Sequence, residues 1–210
     1  LKSEHYNEAF RRTGFLSSII QELKGVKDTT EKIKRAFEYV TKNVQWNNKV
    51  SVYAHTDAKM VFDNKTGTAT EINLILISLL KAIGLEANPV ILSTRGNGKI
   101  NELYPSLEQF NYTIACVSLK GNDILMDASD PFTKPGMLPE HCLSGTGRLI
   151  KEEGSRFVSL IPTEKNMRFE MLTASLNTSS GEITGSTVIS KGGYEAHEMR
   201  EAIKEQGESN

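Results

Sequence analysis

The chain has 210 residues, 38% of them hydrophobic, which suffices for one sizeable core and a smaller appendage. Its 25 basic and 26 acidic residues leave a formal charge of −1, so composition points to no nucleic acid and no polybasic membrane contact. The longest apolar run, Ile72 to Leu80, is broken by Asn73 and Ser78 and is too short to span a bilayer, so no membrane insertion is expected.

The chain opens on Leu1 rather than Met, which reads as an excised piece, so the absence of a leader says nothing about compartment. Residues 4–23 read as a helix, with Tyr6, Phe10, Ile19, Ile20 and Leu23 apolar among charges, Gly14 weakening the middle and Gly25 ending it. Asp28 starts the next helix, with Glu31 completing a capping box. Ile33, Phe37, Val40 and Val44 then recur on one helical face. Gln45-Trp46 follows in extended form, and Asp57 to Phe62 reads as a short helix. From Ala69 to Ile83 the pattern changes: Ile72, Leu74, Ile75, Leu76, Ile77, Leu79, Leu80 and Ile83 leave hardly any polar face. A helix apolar nearly all round is a central one, and Gly84 supplies its stop.

Asn88 to Leu92 reads as a strand and Gly96-Asn97-Gly98 as a loop tip. Phe110 to Leu119 alternates, turns through Gly121-Asn122-Asp123 and returns as Ile124 to Met126, which is a hairpin running into Asp127. Residues 131–147 are rich in Pro and Gly turns. Two strands around Ser180-Gly181, within 167–190, precede a short helix from Tyr194 to about Glu205. The expected organisation is an N-terminal helical segment at 1–27, a core at 28–160, and the start of a β-rich flank at 161–210.

Helix, buried helix, strand and hairpin in that order resemble the bacterial transglutaminase-like family. The resemblance rests on Lys65 to Glu71, on the ending Leu79-Leu80-Lys81-Ala82-Ile83-Gly84-Leu85-Glu86-Ala87, on Pro105-Ser106, on Phe110-Asn111-Tyr112 and on Met126 to Ser129, and covers roughly residues 28–150. It implies an α+β fold of the papain-like type, with a central buried helix packed on an antiparallel sheet. In such a site a thiol at the N-terminus of the buried helix is favoured as thiolate by the helix dipole. An imidazole on the neighbouring strand takes its proton, and a carboxylate orients the imidazole.

Carried over position by position, the nucleophile falls on Ala69, the base on Tyr112 and the orienter on Asp127. A methyl group cannot attack a carbonyl, and a phenol with an ordinary pKa of about 10 is a poor proton acceptor at neutral pH. An engineered exchange would explain Ala69 alone, but not Tyr112 as well, so the resemblance implies a branch that has lost catalysis. Thr68 and Thr70 flank the lost nucleophile, but no histidine is placed to activate them: His5, His55 and His197 fall in surface stretches, and His141 sits directly beside Cys142. Thr68 suits an N-cap, and Glu71 suits the first turn of the helix dipole.

In the resembling fold the loops bearing Trp46, Arg95 and Tyr104 rim the cleft, so the resemblance implies Trp46, Thr68, Glu71, Arg95, Tyr104, Tyr112 and Asp127 as cleft candidates, with no catalytic residue, no metal and no cofactor expected. Cys116 and Cys142 have no metal-type spacing. Cys116 reads as a small core residue of a strand, and the sequence leaves a Cys116–Cys142 disulfide undecided. Sequons at Asn64, Asn111 and Asn177 carry no weight in a bacterial protein.

The leading expectation is a binding or scaffolding module in a larger bacterial envelope protein, periplasmic or extracellular. Its partners would be flanking domains of the same polypeptide and a peptide or glycan in the vacated cleft. A rival is an active amidase, peptidase or acyltransferase with an unrecognised nucleophile. The discriminating observation is a Ser, Thr or Cys within hydrogen-bond reach of a histidine. A third reading, a core that only positions neighbouring domains, would leave an extensive apolar face open.

Overall fold

A computed structural model of the chain describes residues 12–104 and 106–207. It consists of two compact units, Leu1–Pro162 and Thr163–Asn210. The first opens on a 3-10 turn, Gly14–Leu16, followed by α1 (Ser17–Gly25). The single helix expected from residue 4 onward is thus corrected within the described residues: Gly14 begins a turn, and regular helix starts only at Ser17. Tyr6 and Phe10 lie outside the described residues.

Helix α2 (Thr29–Asn43) is capped by the Asp28 side chain, which accepts from Thr30 N at 3.0 Å. The expected reciprocal box is not formed, because Glu31 turns outward to accept from Arg35 Nε at 2.7 Å, one helical turn on. Ile33, Ala36, Phe37 and Val40 are buried, as the spacing requires. Strand β1 (Gln45–Trp46) pairs in parallel with β2 (Thr66–Gly67), on either side of α3 (Ala58–Asn64).

Helix α4 (Ala69–Ala82) is buried at every position from Ala69 to Leu80. Each of its large aliphatic side chains stabilises the fold by roughly 1.5–3 kcal/mol through burial. Its start is fixed by a capping box, in which Thr68 N donates to Glu71 Oε2 at 2.9 Å and Glu71 N donates to Thr68 Oγ1. Its end is set by Gly84, whose φ of +88° suits glycine and reverses the chain.

The helix lies on a five-stranded antiparallel sheet of order β5-β4-β3-β6-β7, built from β3 (Ala87–Leu92), β4 (Tyr112–Leu119), β5 (Asn122–Met126), β6 (Thr146–Leu149) and β7 (Arg156–Ser159). The β4–β5 turn is Lys120–Gly121, both at positive φ, as a two-residue hairpin turn needs. Asn122, expected in the turn, already pairs with Leu119.

Alternation along β4 divides the core. Ala115 and Val117 join the cluster containing most of α4, whereas Tyr112, Ile114 and Cys116 join a second cluster with Val90, Leu92, Cys142 and Leu149. Ala69, the first residue of α4, belongs to this second cluster and not to that of the helix body. The start of the central helix therefore meets the start of β4.

The second unit contains the hairpin β8 (Met167–Leu176) and β9 (Ile183–Gly192), then α5 (Tyr194–Gln206). Its strands carry exposed apolar side chains, among them Phe169, Leu172 and Ile183. The fold is thus α+β, a central buried helix on an antiparallel sheet with a partial β-rich appendage. His197, expected at the surface, is 4% exposed. Among the described residues, no helix is long and apolar enough to cross a membrane.

Gly147 lies where β6 crosses β3, and a Cβ there would come within 2.7 Å of Val90 Cγ1 and 3.2 Å of the Ile91 carbonyl oxygen. We expect Gly147→Ala to cost about 1–3 kcal/mol through overpacking. The check is a lower urea midpoint at unchanged denaturant slope.

Candidate functional site: a sealed cluster around Asp127

Asp127 follows the last residue of β5 and is fully buried. A carboxylate in that position must be saturated with hydrogen bonds. Its Oδ2 accepts from the Tyr112 hydroxyl at 2.8 Å and lies 3.7 Å from the Cys142 thiol. Its Oδ1 accepts from Asn73 Nδ2 at 2.8 Å, Ser129 N at 3.0 Å and Ser129 Oγ at 2.7 Å. The Tyr112 hydroxyl also lies 2.8 Å from Ser129 Oγ.

Asn73 sits one turn into α4 from Ala69. Its amide donates to the carbonyls of Ala69 (3.0 Å) and Thr113 (3.1 Å), and its oxygen accepts from Ala128 N at 2.8 Å. One side chain thus ties the helix start, β4 and the segment after β5 together. Ala69 and Tyr112 share a buried cluster, both at 0% exposure, and Tyr112 binds Asp127, so the three positions meet at one place. That place is filled: Tyr112 is among the largest fully buried side chains of the chain.

Two aromatic rings close over it. Trp46 stacks on His141 with centroids 6.0 Å apart and planes 15° apart, and Tyr112 meets both rings edge-on, at 6.4 Å and 5.2 Å. Trp46 Nε1 donates to the Lys49 carbonyl at 3.0 Å. Arg95 reaches the segment that carries His141, donating to the Leu143 carbonyl at 3.0 Å and pairing with Glu140. Tyr104 stands apart on the surface at 79% exposure.

Thr68 and Glu71 serve the backbone. Besides closing the capping box, Glu71 Oε1 accepts from His55 N at 3.0 Å and Thr56 N at 2.9 Å, so its carboxylate holds three backbone amides. Thr70 donates to the Ser51 carbonyl.

Both cysteines are free and buried. Burial, helped by Asp123, pushes the Cys116 thiol up to about 12. Burial and then the Asp127 charge hold Cys142 well above the usual thiol range. The same two causes, in the same order, raise Tyr112 far above an ordinary phenol. Every acidic proton next to Asp127 is therefore retained at neutral pH.

A hydroxyl–imidazole contact among the described residues answers the test set by sequence: Ser51 Oγ lies 3.3 Å from His55 Nε2 on an exposed loop, where Ser51 Oγ also accepts from Tyr53 N at 2.9 Å. A cavity of about 660 Å³ lies elsewhere, between Ile33, Phe37 and Thr41 of α2 and the Pro131–Gly136 loop. Among the described residues its lining includes no Ser, Cys or His.

Sequence reasoning named Asn73, His141 and Cys142 but assigned none of them to the site. Asn73 had a readable signal, a polar residue one turn after Ala69 in an otherwise apolar helix. His141 and Cys142 had none, because only the 3-10 turn Glu140–Cys142 and its contacts bring adjacent residues onto one site.

The sequence model of the transglutaminase-like superfamily matches residues 17–122. A crystal structure of a suspected protease from Parabacteroides distasonis superposes with TM-score 0.53 at 16% identity, over 75% of this chain and 30% of the other. A suspected cysteine protease from Cytophaga hutchinsonii gives TM-score 0.44 at 12% identity, over 91% of this chain and 56% of the other. This chain therefore spans less than two thirds of either protein. A search of curated proteins found no match.

Two outcomes follow from the cluster. Asn73→Ala removes one of the donors to Asp127 and leaves Ala128 N without its buried acceptor, and we expect a loss of about 1–3 kcal/mol, read by urea denaturation. Stability should also fall in alkali. Below pH 9, folded and unfolded chains both keep the protons of Cys116, Cys142 and Tyr112. Above the ordinary values of 9.0 for the thiols and 10.0 for the phenol, only the unfolded chain loses them, until pH reaches the raised folded values. Each group then removes up to about 1.4 kcal/mol per pH unit. Thermal melts that stay level across pH 9 to 11 would contradict this.

Proposed function

The chain belongs to the transglutaminase-like superfamily, and we propose that it is a non-catalytic member serving as a binding or scaffolding module of a larger bacterial envelope protein. The observation that carries this reading is the occupant of the site. At the start of the buried helix stands Ala69, and the position of a proton acceptor is filled by a fully buried tyrosine bonded to Asp127 at 2.8 Å. Acyl transfer needs a nucleophile, a base to deprotonate it, and access for an acyl group. The methyl group supplies no nucleophile, the phenol holds its proton, and the buried Tyr112 ring fills the space beside Asp127.

Binding is then the work of the rim. Tyr53, Leu103 and Tyr104 are exposed on loops, and Arg95 is exposed where it pairs with Glu140, residue types suited to a peptide or a glycan. The resemblance supports a periplasmic or extracellular setting, and the Parabacteroides distasonis protein, of which this chain covers 30%, leaves room for flanking domains. Those domains would be partners within the same polypeptide.

A second reading, an active amidase or peptidase, is favoured by the Ser51–His55 contact at 3.3 Å. It is the weaker reading. Ser51 Oγ is already engaged as an acceptor from Tyr53 N, and the pair is exposed.

We expect no turnover of a glutamine–amine pair or of a peptide library above a heat-killed control, and no gain from Ala69→Cys alone. Turnover abolished by Ser51→Ala would replace the first reading by the second.

A further inference from the structure

We infer that Asp127, His141 and Cys142 form a binding site for a divalent transition-metal ion, zinc being the best match to its ligands. One carboxylate oxygen, one imidazole nitrogen and the thiol sulfur all lie within 4.8 Å of one another. Tetrahedral zinc takes such ligands at about 2.0–2.3 Å, which sets sulfur and oxygen about 3.6 Å apart. The Cys142 Sγ to Asp127 Oδ2 separation is already 3.7 Å. The ion would take the place of the thiol proton, which leaves to solvent.

A separate observation points the same way. The Nε2 atom of His141 is buried and has no hydrogen-bond partner among the described residues. An unsatisfied buried imidazole nitrogen costs about 1–3 kcal/mol. A metal ion bound through Nε2 would remove that cost.

The surroundings suit a ligand set of mixed hardness. Asn73 and Ser129 hold Asp127 through Oδ1, leaving Oδ2 turned toward Cys142 and Tyr112. Trp46, stacked on the imidazole, fixes the plane of the His141 ring. Held carboxylates and fixed ring orientations are what outer-shell groups supply at metal sites. Thiolate, imidazole and carboxylate together favour zinc over calcium or magnesium, which prefer oxygen alone. Cys142 and Asp127 are fully buried and His141 is half-buried, so the ion would lie at the edge of the core. Ser129 and Tyr112 hydroxyls stand beside it for the fourth position.

The proposal does not rest on the loss of catalysis, and its test reads binding rather than turnover. The chelator-treated protein is titrated with zinc by calorimetry and with cobalt by absorption. The expected result is one ion per chain and a tetrahedral cobalt spectrum with a sulfur-to-cobalt charge-transfer band. Cys142→Ser should abolish that band and weaken zinc binding at least about tenfold, as should His141→Gln for affinity, given that even outer-shell changes cost that much. Cys116→Ala, the other buried thiol, should leave both readouts unchanged. No zinc uptake, an octahedral oxygen-only cobalt spectrum, or binding indifferent to both His141→Gln and Cys142→Ser would each overturn the assignment.

Discussion

A carboxylate with no exposure to water is among the costliest groups a fold can contain, and it persists only where donors surround it. Asp127 gathers hydrogen bonds from β4 (Tyr112), from α4 (Asn73), and from its own turn (Ser129), with the Cys142 thiol at 3.7 Å. These donors come from segments far apart in the chain. Each must arrive in register, because the buried charge is stabilised by the donors acting together. The relative placement of the central helix, the sheet and the 140–142 turn is therefore tied to this one side chain as much as to apolar packing. Hydrophobic burial draws α4 onto the sheet without specifying where along it the helix stops. The Asn73 amide, bridging Ala69, Thr113 and Asp127, sets that stop.

A second buried carboxylate does similar work at the opposite side of the helix start. Glu71 holds Thr68 N, His55 N and Thr56 N, so the loop before α3 is anchored to the first turn of α4. Its charge also lies where the helix dipole is positive. Alanine at the first helical position is compatible with both arrangements, since it asks for no partner and no space.

The helical half of this organisation was legible because its signals are local. Length, an all-round apolar pattern, Thr68 with Glu71 three positions on, and Gly84 define α4 without tertiary knowledge. The hairpin was legible for the same reason, although its turn lies at Lys120–Gly121 rather than beyond it. Strands β6 and β7 were not legible. Thr146–Leu149 and Arg156–Ser159 are four residues each, carry little alternation, and become strands only by pairing with β3 and with each other. The Asp28 box was overread, since Glu31 had a competing cation one turn away in Arg35. At the site, the positions of Ala69, Tyr112 and Asp127 came from resemblance. The roles of His141 and Cys142 depended on a 3-10 turn and on a lid formed by Trp46, neither of which has a sequence signature.

The electrostatics of the sealed cluster bear on why the fold tolerates these residues together. A helix N-terminus favours an anion by about 0.3–2 kcal/mol. Burial without water opposes a thiolate by several kcal/mol, and a carboxylate close by adds repulsion. Cys142 experiences the latter two effects, and its proton is held accordingly. A thiol at position 69, enclosed in the same cluster, would meet the same desolvation, with only the dipole on its side. Activation of such a thiol requires a positive or protonatable neighbour to offset Asp127, and a phenol offers neither. Tyr112 instead gives Asp127 a neutral donor and fills the space with a ring, which stabilises the carboxylate as a structural anchor. Tyrosine at 112 and alanine at 69 suit one another at this place: a neutral donor and a methyl group, both fully buried, ask for no charge between them. The surrounding fold then gains more from a small, inert side chain at the head of its central helix.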